Sequence, residues 1–263
     1  MSDPDPLEEA AFLARSENRI EVLSALAARP LTRRELGGAV DASQPTLGRI
    51  LNDLADRHWV EYDGERYRLT ATGELVEAGI TDLRERLQTE ARLRDVVAYL
   101  PTGTFDFDLR HLTGATVTTP TATRPNAPVD RMLELLRGTG EARLLSYAFN
   151  GSKLDLLAER AGEMRVRGVF TEAAIEAVTA DPVLKTRLRT LLGGEDVEIR
   201  VTDDEVPTAV EVTDSRTHLL LRDDEGVVRA AVDTDDATVR EWAAALHERY
   251  WTAAEPLSLS ALG

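Results

Sequence analysis

With 263 residues, 43% of them hydrophobic, the chain is long enough for two domains, each with its own core. It has no cysteine, so disulfides and thiolate metal sites are excluded, and no apolar run approaches the roughly 18 residues a membrane-spanning helix needs. A net charge of −16 argues against a broadly basic nucleic-acid binder, unless the charge is unevenly spread.

It is unevenly spread. Between Arg15 and Thr72 nine arginines balance nine acidic residues, whereas residues 73–263 carry 22 basic against 34 acidic side chains. The acidic start, Met-Ser-Asp-Pro-Asp-Pro-Leu-Glu-Glu, has no signal-peptide pattern, so a cytoplasmic location is expected. Asp3 to Glu9 reads as a frayed start. A first helix is predicted over Glu17–Ala28, with Ile20, Leu23, Leu26 and Ala27 inward, ended by Arg29-Pro30. Thr32 and Glu35 form a capping-box pattern at the head of a second helix, with Leu36 and Val40 as its core positions.

Ser43 suits an N-cap, and Pro45 falls in the first turn, where a missing N–H costs nothing. Leu47, Ile50, Leu51 and Leu54 then make one apolar helical stripe. The other face shows Gln44, Thr46, Gly48, Arg49 and Asn52, side chains that are short or can donate hydrogen bonds to base edges and phosphates. Gly48 weakens the helix and implies a close approach, either to a partner backbone or to the neighbouring helix. Val60–Tyr62 and Tyr67–Leu69 read as a hairpin around Asp63-Gly64, a two-residue turn signal, with Arg66 near the tip and His58 packed beside it. Two helices, a tight turn and a hairpin are the layout of a winged helix-turn-helix, a DNA-reading module.

From Thr72 as cap, a long helix is predicted to about Leu100, with Val76, Ile80, Leu83 and Leu87 at coiled-coil spacing. Such a helix can pair with its copy in a homodimer; alternatively its stripe packs on the chain's own domains. Pro101-Thr102-Gly103 marks the boundary. After Phe105, Phe107, Leu109 and Leu112 in alternating or amphipathic order, the run Ala115–Pro120 and an irregular loop from Thr123 to Pro128, helix and strand alternate. Helices are predicted over 129–137, 152–161, 172–179, 181–192 and 236–252, and strands over 142–149, 164–170, 197–201, 209–212, 217–221 and 227–232. The last helix carries Val239, Trp242, Leu246 and Tyr250 on one stripe. The whole is expected to be an α+β winged helix-turn-helix domain (1–72), a long linker helix (73–103), and an α/β domain (104–263) whose mixed sheet has a partly antiparallel edge.

The Ser43–Leu54 run followed by the hydrophobic hairpin resembles the DNA-binding domain of prokaryotic, especially archaeal, winged-helix transcription regulators. Ala115–Pro128, the α/β order and the closing Val239–Trp251 resemble the effector domain of archaeal regulators of the methanogenesis-regulatory type, whose sugar-responsive kin carry a phospholipase-D-like sensor domain. Acid excess and scarce lysine resemble proteins of salt-accumulating haloarchaea. At molar salt, screening shortens to about 3 Å and counterion release loses its drive, so direct contacts must carry DNA affinity.

These resemblances imply a sequence-specific regulator of double-stranded DNA, dimeric, modulated by a small-molecule effector. Expected DNA contacts are Gln44, Pro45, Thr46, Arg49 and Asn52 with the cap Ser43 at the helix start, and Arg33, Arg34 and Arg66 on phosphate. A ligand in a parallel sheet binds at the carboxyl ends of the strands, which selects Ser146, Tyr147, Asn150, Thr171 and His218; for His218 the alternative is a core residue. Phospholipase-D chemistry needs a lysine two residues after its histidine, and position 220 is Leu, so no enzyme of that kind is expected. No metal-ligand spacing, phosphate loop or cofactor motif stands out. The competing classes are a small-molecule-processing enzyme and a protein-interaction adaptor, each with an accessory winged helix.

Overall fold

The computed structural model describes residues 5–262, and the chain divides into two compact units, Met1–Leu87 and Gln88–Gly263. Each is built around its own apolar cluster.

The first unit runs α1 (Pro6–Ala14), α2 (Glu17–Ala28), α3 (Arg33–Ala39), α4 (Gln44–Asp56), β1 (Val60–Tyr62), β2 (Tyr67–Leu69) and the first part of α5 (Ala71–Leu93). The expected frayed start is instead helical from Pro6; Asp3 and Pro4, where that stretch was expected to begin, lie outside the described residues. Asp5 caps α1, and Phe12 anchors it. Its ring lies between the Arg19 and Arg57 guanidiniums, 3.8 and 3.6 Å from its centroid, and edge-on to Trp59. Arg57 also pairs with Glu9 at 2.7 Å. These partners are distant in sequence, which is why periodicity alone missed the helix. In α2, Val22 rather than Ala27 completes the inward face with Ile20, Leu23 and Leu26.

Both N-caps form as expected. Thr32 Oγ1 accepts from the Glu35 N–H while the Glu35 carboxylate accepts from the Thr32 N–H at 2.7 Å, and that backbone N–H holds the Glu35 carboxyl below its ordinary range. Ser43 Oγ accepts from the Thr46 N–H at 3.3 Å, and Leu47, Ile50, Leu51 and Leu54 are buried. His58 does not pack beside the wing. It is exposed, with φ of 58°, and it ends α4 through His58 N–H to Ala55 O and Trp59 N–H to Leu54 O bonds, a Schellman arrangement in which glycine is the usual residue.

The wing differs from expectation by one residue. Tyr62 pairs with Tyr67, so Gly64 and Glu65 sit at the tip rather than Asp63 and Gly64. Asp63 closes the turn instead, its carboxylate accepting from the Glu65 and Arg66 N–H groups, and Gly64 takes φ of 104°. Leu31 adds a third extended segment by exchanging two backbone hydrogen bonds with Tyr67. Thr70, not Thr72, caps α5, accepting from the Gly73 N–H at 3.0 Å. This helix ends at Leu93, not near Leu100. Val76 and Ile80 pack on the first unit's core, Leu83 and Leu87 are exposed, and Leu93, Val96 and Leu100 belong to the core of the second unit.

The second unit contains β3 (Thr116–Thr118), α6 (Ala127–Arg137), β4 (Glu141–Ser146), α7 (Gly151–Glu159), β5 (Arg165–Thr171), α8 (Glu172–Ala180), α9 (Pro182–Leu192), β6 (Val197–Thr202), β7 (Ala209–Thr213), β8 (Thr217–Arg222), β9 (Val228–Thr234), α10 (Ala237–Ala253) and β10 (Glu255–Pro256). Among the described residues its sheet has eight strands in the order β10-β6-β5-β4-β7-β8-β9-β3. The β4, β5 and β6 strands are mutually parallel, as βαβ crossovers require, and the remaining pairings are antiparallel. One face packs on α10 through Leu145, Val210, Leu219 and Val232; Val239, Trp242, Leu246 and Tyr250 answer from the helix. The opposite face of β4–β6 packs on α6 to α9 through Leu144, Val166, Phe170 and Ile199. Among the described residues no helix is long and apolar enough to cross a membrane.

Candidate nucleic-acid interface

The face of α4 opposite its buried stripe is open. Gln44, Pro45, Arg49 and Asn52 are exposed, Thr46 is half-buried, and Arg34 and the wing-tip Arg66 are exposed as well. Among the described residues Arg34 and Arg49 make no ion pair, so both guanidiniums keep their donors for a partner. Arg66 has only a 4.0 Å approach to its neighbour Glu65, whereas Arg68 is neutralised by Glu61 at 2.7 Å across the wing. Thr46 is partly committed, since its hydroxyl lies 2.8 Å from Ser43 Oγ.

Gly37 on α3 and Gly48 on α4 each make room for a side chain of the other helix. A Cβ on Gly37 would lie 2.5 Å from the Gln44 side-chain nitrogen, and one on Gly48 would lie 2.6 Å from Arg33 Nη2. Arg33 therefore crosses from α3 onto α4, where Nη2 donates to the Gln44 carbonyl at 2.9 Å. Of the two sequence-level explanations for Gly48, the neighbouring helix is the one seen, and it acts through a side chain.

The residues expected around a ligand make the following contacts within the chain. Ser146 is buried, with its hydroxyl donating to the Ala148 carbonyl. Tyr147 stacks under Arg222, whose guanidinium lies 3.3 Å from the ring centroid, and burial pushes its phenol up to about 12. Asn150 caps α7 by accepting from the Ser152 and Lys153 N–H groups. Thr171 caps α8 and also donates to the Tyr147 carbonyl, which ties the ends of β4 and β5 together. His218 is fully buried.

The surroundings of His218 were not foreseen. On the α6–α7 side of the sheet the apolar layer stops at β4, and the next strands present Glu211, His218 and Asp233 side by side, paired in register across β7, β8 and β9. His218 Nδ1 donates to Glu211 at 2.8 Å, and Lys153 Nζ donates to the other Glu211 oxygen at 2.6 Å. All three side chains are at most 2% exposed. Burial alone would push the Glu211 carboxyl up, but the Lys153 ammonium and then His218 more than offset it and hold it at about 2. Next to this chain Asp233 accepts a fork from Arg131 (3.0 and 2.9 Å) and a third bond from Arg216 at 2.6 Å. The histidines do not gather: His111 meets Asp236, while His247 Nε2 donates to the Arg167 carbonyl and burial lowers its imidazole to about 4. Among the described residues no cluster could hold a metal ion.

Residues 7–92 match the family model described as HVO_A0261 N-terminal domain, and residues 125–253 match that of the methanogenesis regulatory protein FilR1, middle domain. Together these two matches support a transcription regulator of the archaeal type. No curated protein matches the chain. Among solved structures, TrmBL2, an archaeal chromatin protein with a novel mode of DNA binding, is 15% identical, covering 95% of this chain and 98% of its own, with a TM-score of 0.43. Nuc, a phospholipase D family member from Salmonella typhimurium, is 13% identical over 54% of this chain and 98% of its own, with a TM-score of 0.42.

Proposed function

We propose that this chain, whose two matched segments are an HVO_A0261-type N-terminal domain and a FilR1-type middle domain, is a sequence-specific transcription regulator that reads double-stranded DNA with residues 1–72 and senses an effector with residues 104–263. One observation carries the reading. The helix capped by Ser43 buries every apolar residue of its stripe and leaves Gln44, Pro45, Arg49 and Asn52 open, and the wing-tip Arg66 is exposed too. In this reading α4 lies in the major groove and Arg34 and Arg66 hold phosphates.

Within residues 73–103, the helix α5 is assigned the role of linker and dimerisation helix. The exposure of Leu83 and Leu87, one helical turn apart, supports a homodimer reading two half-sites, and a sedimentation mass of a single chain would remove that element. An effector would act by favouring one arrangement of the two heads, and reciprocity requires that DNA then shift effector affinity equally. The full burial of His218 and the Leu at 220 support a sensing rather than a phosphodiester-cleaving role for the second unit.

Arg49→Ala tests the reading. Arg49 is exposed and unpaired, so the variant should keep its melting temperature. It should lose about 1–3 kcal/mol of operator affinity, roughly 5- to 150-fold, in gel retardation at molar salt. Unchanged affinity would take α4 out of the groove.

A further inference from the structure

Gly48 occupies the α4 flank between Gln44 and Asn52, one helical turn from each. That position bears no side chain of its own, yet it is not bare: the Arg33 guanidinium lies over it, with Nη2, Cζ and Nη1 at 2.6, 3.4 and 3.8 Å from where a Cβ would stand. We propose that Arg33 supplies the reading side chain that position 48 lacks, and that its anchored guanidinium recognises the guanine of a G·C pair in the major groove. The proposal rests on the DNA-reading role given above to α4.

Three observations support a base rather than a phosphate as its target. A phosphate contact needs only charge within reach, which a free arginine supplies; it gives no reason for glycine in mid-helix, where that residue weakens the helix. Arg33 is held before any partner arrives. Nη2 spends one N–H on the Gln44 carbonyl, and four of the five guanidinium donors stay uncommitted, since Arg33 has no ion pair among the described residues. Guanine presents O6 and N7 as two acceptors spaced for such a fork, and a fork whose orientation is already fixed loses less freedom on binding. The flank then reads Gln44, Arg33 and Asn52 in line, two amide side chains around one guanidinium. Gln44 is itself steered, because its amide nitrogen fills the space left by Gly37 on α3.

The test is selection from a random duplex pool at molar salt, using the full chain and the variants Arg33→Lys and Gly48→Ala. Lysine keeps the charge but not the fork. Alanine at 48 pushes the guanidinium off its seat while favouring the helix. Wild type should enrich sites with guanine at one position, and both variants should lose that preference by about 5- to 100-fold while preferences elsewhere stay unchanged. Circular dichroism melts no lower than wild type show that both variants remain folded. Variants with the wild-type preference at every position, weaker only in overall affinity and salt slope, would make Arg33 a phosphate contact and overturn the proposal. A wild-type chain that enriches no sequence at all would instead overturn the DNA-reading role itself.

Discussion

Lys153→Ala should destabilise the second unit by about 3–5 kcal/mol, because it removes one partner of a buried ion pair and leaves the other charge without water or counter-ion. Glu211 is 1% exposed, so without the ammonium its carboxyl is left in the core with the His218 hydrogen bond as its one remaining partner. Combining Lys153→Met with Glu211→Gln removes both charges at similar volume and leaves an amide oxygen for His218 Nδ1. Most of the lost stability should return, since replacing a whole buried pair by neutral groups is often near neutral. Urea unfolding of the three proteins measures both effects. A loss below about 1 kcal/mol in the alanine variant would mean that Glu211 reaches solvent.

The same pair sets an acid limit. The Glu211 carboxyl sits at about 2 in the folded chain against an ordinary value of 4.5. Its contribution to stability is therefore complete above the unfolded value and disappears as pH falls through about 2. Over that window wild type should lose about 3 kcal/mol more than the Lys153→Met, Glu211→Gln protein. Parallel curves for the two proteins between pH 5 and 2 would assign the acid sensitivity to other carboxylates.

Gly73→Ala should be the most damaging small substitution in the first unit. A Cβ there would collide with the Trp59 carbonyl oxygen and stand 2.8 Å from its carbon. These are backbone atoms, and the Trp59 carbonyl is fixed by accepting from the Thr70 N–H at 3.0 Å. Neither side can yield without separating the head of α5 from the chain that leaves α4, so the expected cost is about 3 kcal/mol or more. Gly79→Ala on the same helix is the control. Nothing lies within 4 Å of its Cβ, and the exposed helix should gain about 0.5–1 kcal/mol. Thermal melts that place the two variants together would show that the close approach at Gly73 is relieved elsewhere.

What could be read from the sequence follows the range of the forces involved. The capping box at Thr32 and Glu35, the Ser43 cap and the stripe of α4 are set within four residues of themselves, and they form where expected. The α10 stripe and the order of helices and strands after Ala127 are likewise local patterns. Features that depend on distant partners were illegible. Helix α1 is held by Arg57 and Trp59, more than 40 residues away by chain number. Lys153 follows a helix cap, where lysine normally faces water, and only the folded sheet brings Glu211 beneath it. Gly48 was legible as an anomaly, but its occupant comes from another helix. The wing turn slipped by one residue because Asp63 bonds two backbone N–H groups ahead of it and so becomes the closing position instead of the tip.

The sequence has two lysines, and the fold hides one of them: Lys153 is 2% exposed, while Lys185 lies half-buried on the surface of α9. Amine-directed reagents, acetyl donors included, thus meet a chain whose side-chain chemistry is reduced to a single address. Any label that does arrive at Lys153 records a moment when α7 has lifted from the sheet, so acylation at that one residue is a built-in clock for opening of the second unit.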